Sequence, residues 1–425
     1  RILLFIAFGY LLIPNLLFIS GWLRLPIAIL GCIVIVGSSF LVLNKWRRST
    51  DSAFQLISIN WITICAALFM IVLWVLFSGA GHFSFQVGDY KKHNLILSQL
   101  VNQDWPVIQK ITQKSAYILV YYIGYYLPAA LVGKITNIYI ANIFQYFYTL
   151  LGVAISLFFV WLTTNGKGII RSVLIFMVFG GMDVLGWLIL HGHLPQLGEY
   201  IYPWSQTLSY QSNTEILFFV PQNALPAWIV VSMILWFNNL GVEKAYILFI
   251  WPFTFIWSPW IFLGLIPIII AFIFNDFGQL KKLITWLSVI PGILCNIVIA
   301  AFYLINNSSI RNNGWIWEKI DHWIITYLVF VIVEFLLLSI LEHFLIKKQH
   351  LRFILLSSVF SLLVIPLFHG GVFNDFGMRV SIPSLAVLCF FAIMITSKAQ
   401  SIRKSESNKW LYIILIGVLV VGSIY

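Results

Sequence analysis

The stretch FSFQVGDYKKHNLILSQLVNQDWPVI, residues 83–108, is the first long polar interruption of a largely apolar sequence. It follows an apolar segment of helical length and holds two aspartates, two lysines and a histidine. Six charges fall between Asp89 and Lys114, in a chain of which 9% is charged. Ionisable groups crowded at the edge of hydrocarbon mark a site. The sequence around this stretch decides the fold class. The 425 residues are 61% hydrophobic, with mean hydropathy +0.96. Apolar runs able to cross about 30 Å of hydrocarbon recur along the whole length. Such a composition excludes a soluble enzyme with one anchor and predicts an all-α polytopic membrane protein, read as one transmembrane domain over 1–425.

About 13 spans are expected. They cover 2–20, 26–44, 54–78, 139–162, 170–187, 224–240, 244–257, 259–275, 283–305, 322–345, 351–368, 380–397 and 410–425. Arg1–Phe18 reads as a retained first span rather than a cleaved leader. One set of connections carries Lys45, Arg47, Arg48, Lys167, Arg171, Lys244, Lys281, Lys282, Lys347, Lys348, Arg352, Lys398, Arg403, Lys404 and Lys409. With Arg1 these make 16 of the 25 basic residues, so this set is assigned to the cytoplasm. The net charge of +11 is thus read as topology, with no nucleic-acid partner expected. The opposite set, 79–138, 188–223, 306–321 and 369–379, is longer and holds or adjoins eight of the 14 acids. Those eight are Asp89, Asp104, Asp183, Glu199, Glu215, Glu318, Asp321 and Asp375, which points to chemistry on the external face.

Several local readings follow. SAYILVYYIGYYLPAALVGKI (115–135) would break the charge pattern as a span, so it is expected to be an external helix or half-buried hairpin interrupted by Pro128. Trp105, Tyr121, Tyr122, Tyr125, Tyr126, Trp187, Trp204, Trp315 and Trp317 read as an aromatic belt. Cys32, Cys65, Cys295 and Cys389 lie in apolar segments, with no disulfide framework and no CxxC pattern. FNDFG occurs at 274–278 and 373–377, but its flanks do not match.

Candidate chemistry starts at Asp89, which reads either as a general base or cation ligand, or as an N-cap. Tyr90–Val101 is amphipathic with a basic first turn, Lys91, Lys92 and His93. It suits an interfacial helix whose basic end meets a lipid phosphate or anionic headgroups generally. Asp183 in FGGMDVLGW reads as a cavity-lining acid or an interhelical hydrogen bond. In LSYQSNTEILFFVPQNALPAW (208–228), Tyr210, Asn213, Gln222 and Asn223 suit sugar hydroxyls or merely loop backbone, and the chain is expected to re-enter the bilayer near Pro226. Arg379, external against the charge rule, needs an anion: a phosphate, or Asp375 four residues earlier. His191, His193 and His369 read as polar anchors or a metal set, and Glu334 as an interhelical hydrogen bond rather than a proton relay. There is no P-loop, HExxH or GxSxG.

Five segments carry a resemblance: GDYKKHNLILSQLVNQDWP (88–106), YYLPAALVGK (125–134), GGMDVLGW (180–187), YQSNTEILFFVPQNALPAW (210–228) and NDFGMRVSIP (374–383). In this order they resemble the GT-C membrane glycosyltransferases, specifically the polytopic members that decorate Gram-positive surface polysaccharides. The resemblance implies a polyprenyl-phosphate sugar donor, a cell-wall glycan or teichoic-type acceptor, and a multi-pass bacterial plasma-membrane enzyme with its site outside. It makes Asp89 the catalytic carboxylate and Asp183 a cavity acid. Lys92, His93 and Arg379 become candidates for the lipid phosphate, and Tyr90, Asp104 and Asp375 join the substrate-binding set. The chain departs from the paired acidic motif of other relatives, because Tyr90 follows Asp89, so no cofactor is assigned and a divalent cation is left open. Two other readings stand beside it. One is a transporter or flippase of lipid-linked sugar. The other is a polymerase or ligase using a polyprenyl diphosphate, which would want more external arginines than Arg24, Arg311 and Arg379.

Overall fold

The apolar runs form helices because a backbone in hydrocarbon must satisfy its own hydrogen bonds. The computed structural model describes residues 2–49, 60–112, 115–196, 201, 204–240, 245–274, 286–305, 312–402 and 405–424, and is 78% helical. Among the described residues seven helical stretches are long and apolar enough to cross a membrane: Ile2–Trp22, Leu25–Asn44, Ile138–Thr163, Ile169–His191, Trp323–Leu345, Gln349–Leu367 and Asp375–Ser397. Trp61–Phe77, Pro259–Phe274, Val289–Leu304 and Asn408–Val421 are shorter apolar helices. The chain is an all-α membrane protein. Three of the expected spans take another form, the 170–187 one being the broken stretch of the second unit. The 244–257 stretch is a six-residue helix, Ala245–Ile250, followed by a 3-10 turn, Trp251–Thr254. The 224–240 stretch starts earlier, as Pro221–Leu240, with Pro226 inside the helix.

The described residues divide into two compact units. The first comprises 1–159, 217–262 and 276–308. Its centre is the Pro221–Leu240 helix, buried on every side from Val220 to Phe237, as befits a helix apolar all round. Tyr10 and Tyr148 stack at 4.3 Å, and each hydroxyl donates to the other residue's carbonyl at 3.0 Å. Asn15, buried mid-helix, donates to Leu11 and Phe253 carbonyls at 2.9 Å and accepts from the Cys295 thiol. A polar side chain at this depth is tolerated because each of its atoms is paired. The 115–135 segment is neither a span nor a helix broken by proline. Ser115–Ile118 pairs antiparallel with Ile108–Thr112, and Pro128 begins a separate helix, Leu127–Ile135, where a missing N–H costs nothing.

The second unit comprises 160–216, 263–275 and 309–425, and its buried centre is Ile382–Thr396. Its informative element is the apolar stretch Ile169–His191, which is not one helix. Ile169–Val178 stops, Phe179 and Met182 leave helical geometry, and Asp183–His191 starts again. Gly180 and Gly181 permit the break because glycine holds a helix poorly. The break frees carbonyls that have no i+4 partner, and one short segment takes them up. The Asn213 amide donates to Phe176 O at 2.9 Å, the Thr214 hydroxyl to Met177 O at 2.7 Å, and the Asn213 N–H to Phe179 O at 2.9 Å. Asn213 is thus spent on backbone and not presented to a sugar. A second irregularity, the π-helical turn Ile332–Leu336, carries Glu334; such turns recur at functional sites. The 274–278 copy of FNDFG lies outside the described residues beyond Phe274, as do Glu199, Lys244, Arg311, Arg403 and Lys404.

Asn213→Ala leaves a buried carbonyl unpaired, so it should destabilise the protein by about 2–3 kcal/mol, and Thr214→Val by about 1 kcal/mol. Thermal unfolding of purified protein in detergent, followed by tryptophan fluorescence, reads both; equal melting temperatures for wild type and Asn213→Ala would contradict this account of the break.

Candidate functional site

The polar residues singled out in the sequence separate into two clusters, one in each unit. Asp89, Tyr90, Lys92, His93, Asp104, Gln222 and Asn223 belong to the first unit, and Asp183, Tyr210, Asn213, Asp375 and Arg379 to the second.

In the first unit Asp89 stands at the N-terminal boundary of the Tyr90–Asn102 helix. Its carboxylate makes no capping hydrogen bond; it lies 3.6 Å from the Lys92 ammonium, with both side chains about two-fifths exposed. Lys92 in turn rests over the Tyr121 ring at 5.7 Å, and Tyr121 stacks on Tyr122 at 4.7 Å. The Gln222 amide donates to the Tyr121 hydroxyl at 3.4 Å. This links the water-side ion pair to the first turn of the buried Pro221–Leu240 helix. There Gln222 Oε1 and both amide atoms of Asn223 are buried without a protein partner. Unpaired buried polar atoms are rare and call for a cause.

The apolar face of the Tyr90–Asn102 helix, Tyr90, Ile96, Leu97, Leu100 and Val101, is buried in protein. His93 lies on that face. One ring nitrogen meets the Tyr126 hydroxyl and the other lies 2.9 Å from Phe219 O. A carbonyl only accepts, so Nε2 carries a proton, and a neutral imidazole then accepts from Tyr126 at Nδ1. Burial, with the Tyr121 charge next, pushes the Tyr126 phenol well above its ordinary value, so it stays a donor. Burial pushes Tyr125 up to about 12. His93 therefore fastens the helix, with no ring nitrogen left for a lipid phosphate in this arrangement. Tyr125 and Tyr126 are core residues rather than members of an interfacial belt. Asp104 is exposed in the turn after the helix.

In the second unit the helix break brings two acids together. The Trp204 indole N–H lies 2.8 Å from Asp183 Oδ1 and 3.0 Å from Glu334 Oε1. Glu334 is buried, and its Oε2 has no hydrogen-bond partner. The glycines of the break make room. A Cβ on Gly181 would sit 1.8 Å from Glu334 Oε2, and one on Gly186 would sit 2.5 Å from the Trp204 ring. Trp204, read from sequence as a belt residue, is the hinge of this pair; the aromatic flanking a polar loop gave no signal of it. Ser212 and Glu215 close a capping box on the next helix: the Ser212 N–H donates to Glu215 Oε2 at 2.9 Å, and the Glu215 N–H to Ser212 Oγ at 3.3 Å. Burial first, and the nearby Asp183 charge, push the Glu215 carboxyl up to about 7, against the Ser212 N–H that lowers it.

Tyr210 is buried and donates to Leu362 O at 2.8 Å, so its hydroxyl is also spent within the protein. Arg379 pairs with Asp375, the nearer of its two expected anions. Asn374, in left-handed conformation, caps that helix through Gly377 N–H. His369 Nδ1 lies 3.0 Å from Asn312 O, and His191 stacks on Trp187 at 4.1 Å. Among the described residues no three His, Cys, Asp or Glu side chains are grouped to hold a metal ion. The four cysteines are free. No family model, curated protein or solved structure matches the chain.

Gly181→Ala should cost about 2 kcal/mol or more by forcing Glu334 aside, while Gly9→Ala, where a Cβ meets nothing, should be neutral or stabilising. Melting temperatures of the two variants decide this. Glu215 supplies a pH signature. Its folded-state pKa is raised above 4.5, so its contribution to stability is full below that value and is lost as pH rises towards about 7. The loss should be on the order of 3 kcal/mol. The wild-type melting temperature should fall between pH 5 and 7.5 by several degrees more than that of Glu215→Gln; parallel curves would exclude it.

Proposed function

We propose that this chain is a GT-C-type membrane glycosyltransferase with about 13 spans in a bacterial plasma membrane. It moves a monosaccharide from a polyprenyl phosphate to a surface glycan on the external face. The observation that carries the reading is Asp89: a carboxylate at a helix start that caps nothing, half-exposed, with its charge met only loosely by Lys92. An exposed ion pair of this length is worth little and exchanges readily. The buried amide atoms of Gln222 and Asn223 suit a ligand rich in hydroxyl groups, reached past the Tyr121 and Tyr122 rings.

In this reading the acceptor hydroxyl oxygen attacks the anomeric carbon as its proton passes to Asp89. The bond from that carbon to the phosphate oxygen breaks, and the phosphate leaves with the electron pair. The configuration inverts. Lys92 offsets the charge that develops on the departing phosphate. Arg379, already held by Asp375, is assigned no step. A second reading, transport of a lipid-linked sugar, draws on the Asp183–Trp204–Glu334 pair beside a broken helix, the kind of element that lines transport paths.

The two readings part on one pair of variants, assayed in vesicles with a polyprenyl-phosphate-linked radiolabelled sugar. Asp89→Asn should reduce sugar transfer by roughly 100- to 10,000-fold with an unchanged melting temperature, because the carboxylate supports no helix cap. Glu334→Gln should leave transfer within a few-fold. Normal turnover by Asp89→Asn removes the proposed base; loss of lipid translocation in Glu334→Gln, with no transfer activity in wild type, establishes the transport reading instead.

A further inference from the structure

Three connections that the basic-residue pattern assigns to the cytoplasm meet in the second unit: those holding Lys167, Lys347 with Lys348, and Lys398. A cavity of about 440 Å³ lies beside them. Lys347, Lys348, Lys398, Ser401 and Asn408 contribute its polar lining, and Leu351, Phe391 and Met394 much of its apolar lining. No carboxylate stands among the described residues that line it. Positive-inside topology explains lysines in short loops, but does not explain three of them around one cavity. Their mutual repulsion is real. Partial burial, then Lys348 and Lys167, push the Lys398 amine below its ordinary value.

A cationic rim on an apolar floor is complementary to an anion attached to a hydrocarbon chain. Lysine binds phosphate as a point charge, with hydroxyl and amide donors completing the shell. The volume lies within the range of ordinary small-ligand sites. We propose that this cavity binds the phosphate headgroup of an anionic lipid from the cytoplasmic leaflet. Lys347, Lys348 and Lys398 take the phosphate, and Phe391 and Met394 take the first methylenes of the chain. The apolar lining selects a lipid over a soluble phosphate. The proposal uses neither Asp89 nor the transferase reading, so each can fail alone.

The test uses the full chain purified in detergent, titrated with phosphatidylglycerol, phosphatidylcholine or inorganic phosphate, with native mass spectrometry and melting temperature as readouts. Phosphatidylglycerol should bind and raise the melting temperature; phosphatidylcholine should not. Lys348→Gln/Lys398→Gln should weaken phosphatidylglycerol binding at least tenfold, and Lys348→Arg/Lys398→Arg, which keeps the charges, should retain it. Lys409→Gln, an exposed cytoplasmic-set lysine outside the cavity, should stay within twofold of wild type. Equal weakening by Lys409→Gln, indifference between the two lipids, or equal stabilisation by inorganic phosphate would each overturn the assignment.

Discussion

A backbone carbonyl released at membrane depth has no water to turn to, and much of the second unit follows from that constraint. Opening the Ile169–His191 stretch at Gly180 and Gly181 strands three carbonyls, and Asn213 and Thr214 answer them. Once those bonds form, the segment running from Trp204 to Glu215 has little freedom left. Tyr210 is fixed by Leu362 O, the Ser212–Glu215 box closes, and the Trp204 indole is delivered between two carboxylates. The acid pair is thus a consequence of how the break is repaired. A continuous helix over 169–191 would need no Asn213, and in the broken one a Cβ on Gly181 would collide with Glu334.

Asp89 and Asp183 are both carboxylates at the start of a helix, yet their surroundings differ in kind. Asp89 faces a cation across an exposed, long contact. Asp183 shares a neutral indole donor with a second acid that is buried. Two carboxylates held in such unlike environments are suited to different tasks. The aspartate that caps nothing is the more available of the two. Its helix is anchored one turn on by His93, so the carboxylate is exposed without being loose.

What the sequence made legible was what depends on local pattern. Long apolar runs, the amphipathic helix at Tyr90 and the i, i+4 pair of Asp375 and Arg379 all follow from spacing within a few residues. The Glu334 hydrogen bond was legible because a lone acid in hydrocarbon needs a partner. The partner's name was not. Trp204 lies 130 residues from Glu334, and His93 lies 126 residues from Phe219. A polar loop rich in Asn, Gln and Tyr looks the same whether it binds sugar or repairs backbone; Asn213 and Tyr210 proved to do the latter, while Gln222 and Asn223 keep unpaired atoms. The tyrosine run at 121–126 misled for a related reason. Its composition is that of a membrane interface, but two of its four rings are buried, Tyr126 bonded to His93 and Tyr125 to Thr149.

The placement of His93 also ties the two ends of the first unit's site together. Its Nε2 holds the Phe219 carbonyl, three residues before Gln222, while its own helix begins at the Asp89 boundary. Asp89 and the buried amides are therefore set by one hydrogen-bonded bridge, with Tyr126 locking the ring's orientation. Each orphaned amide atom costs about 1–3 kcal/mol, a cost that a polar guest would recover on entry. Because the bridge is buried and bonded at both ring nitrogens, it transmits position. Displacing the Phe219 carbonyl would shift the start of the Pro221–Leu240 helix and the Asp89 helix in concert. The proposed transfer needs that mechanical coupling, with sugar recognition at one end and proton removal at the other.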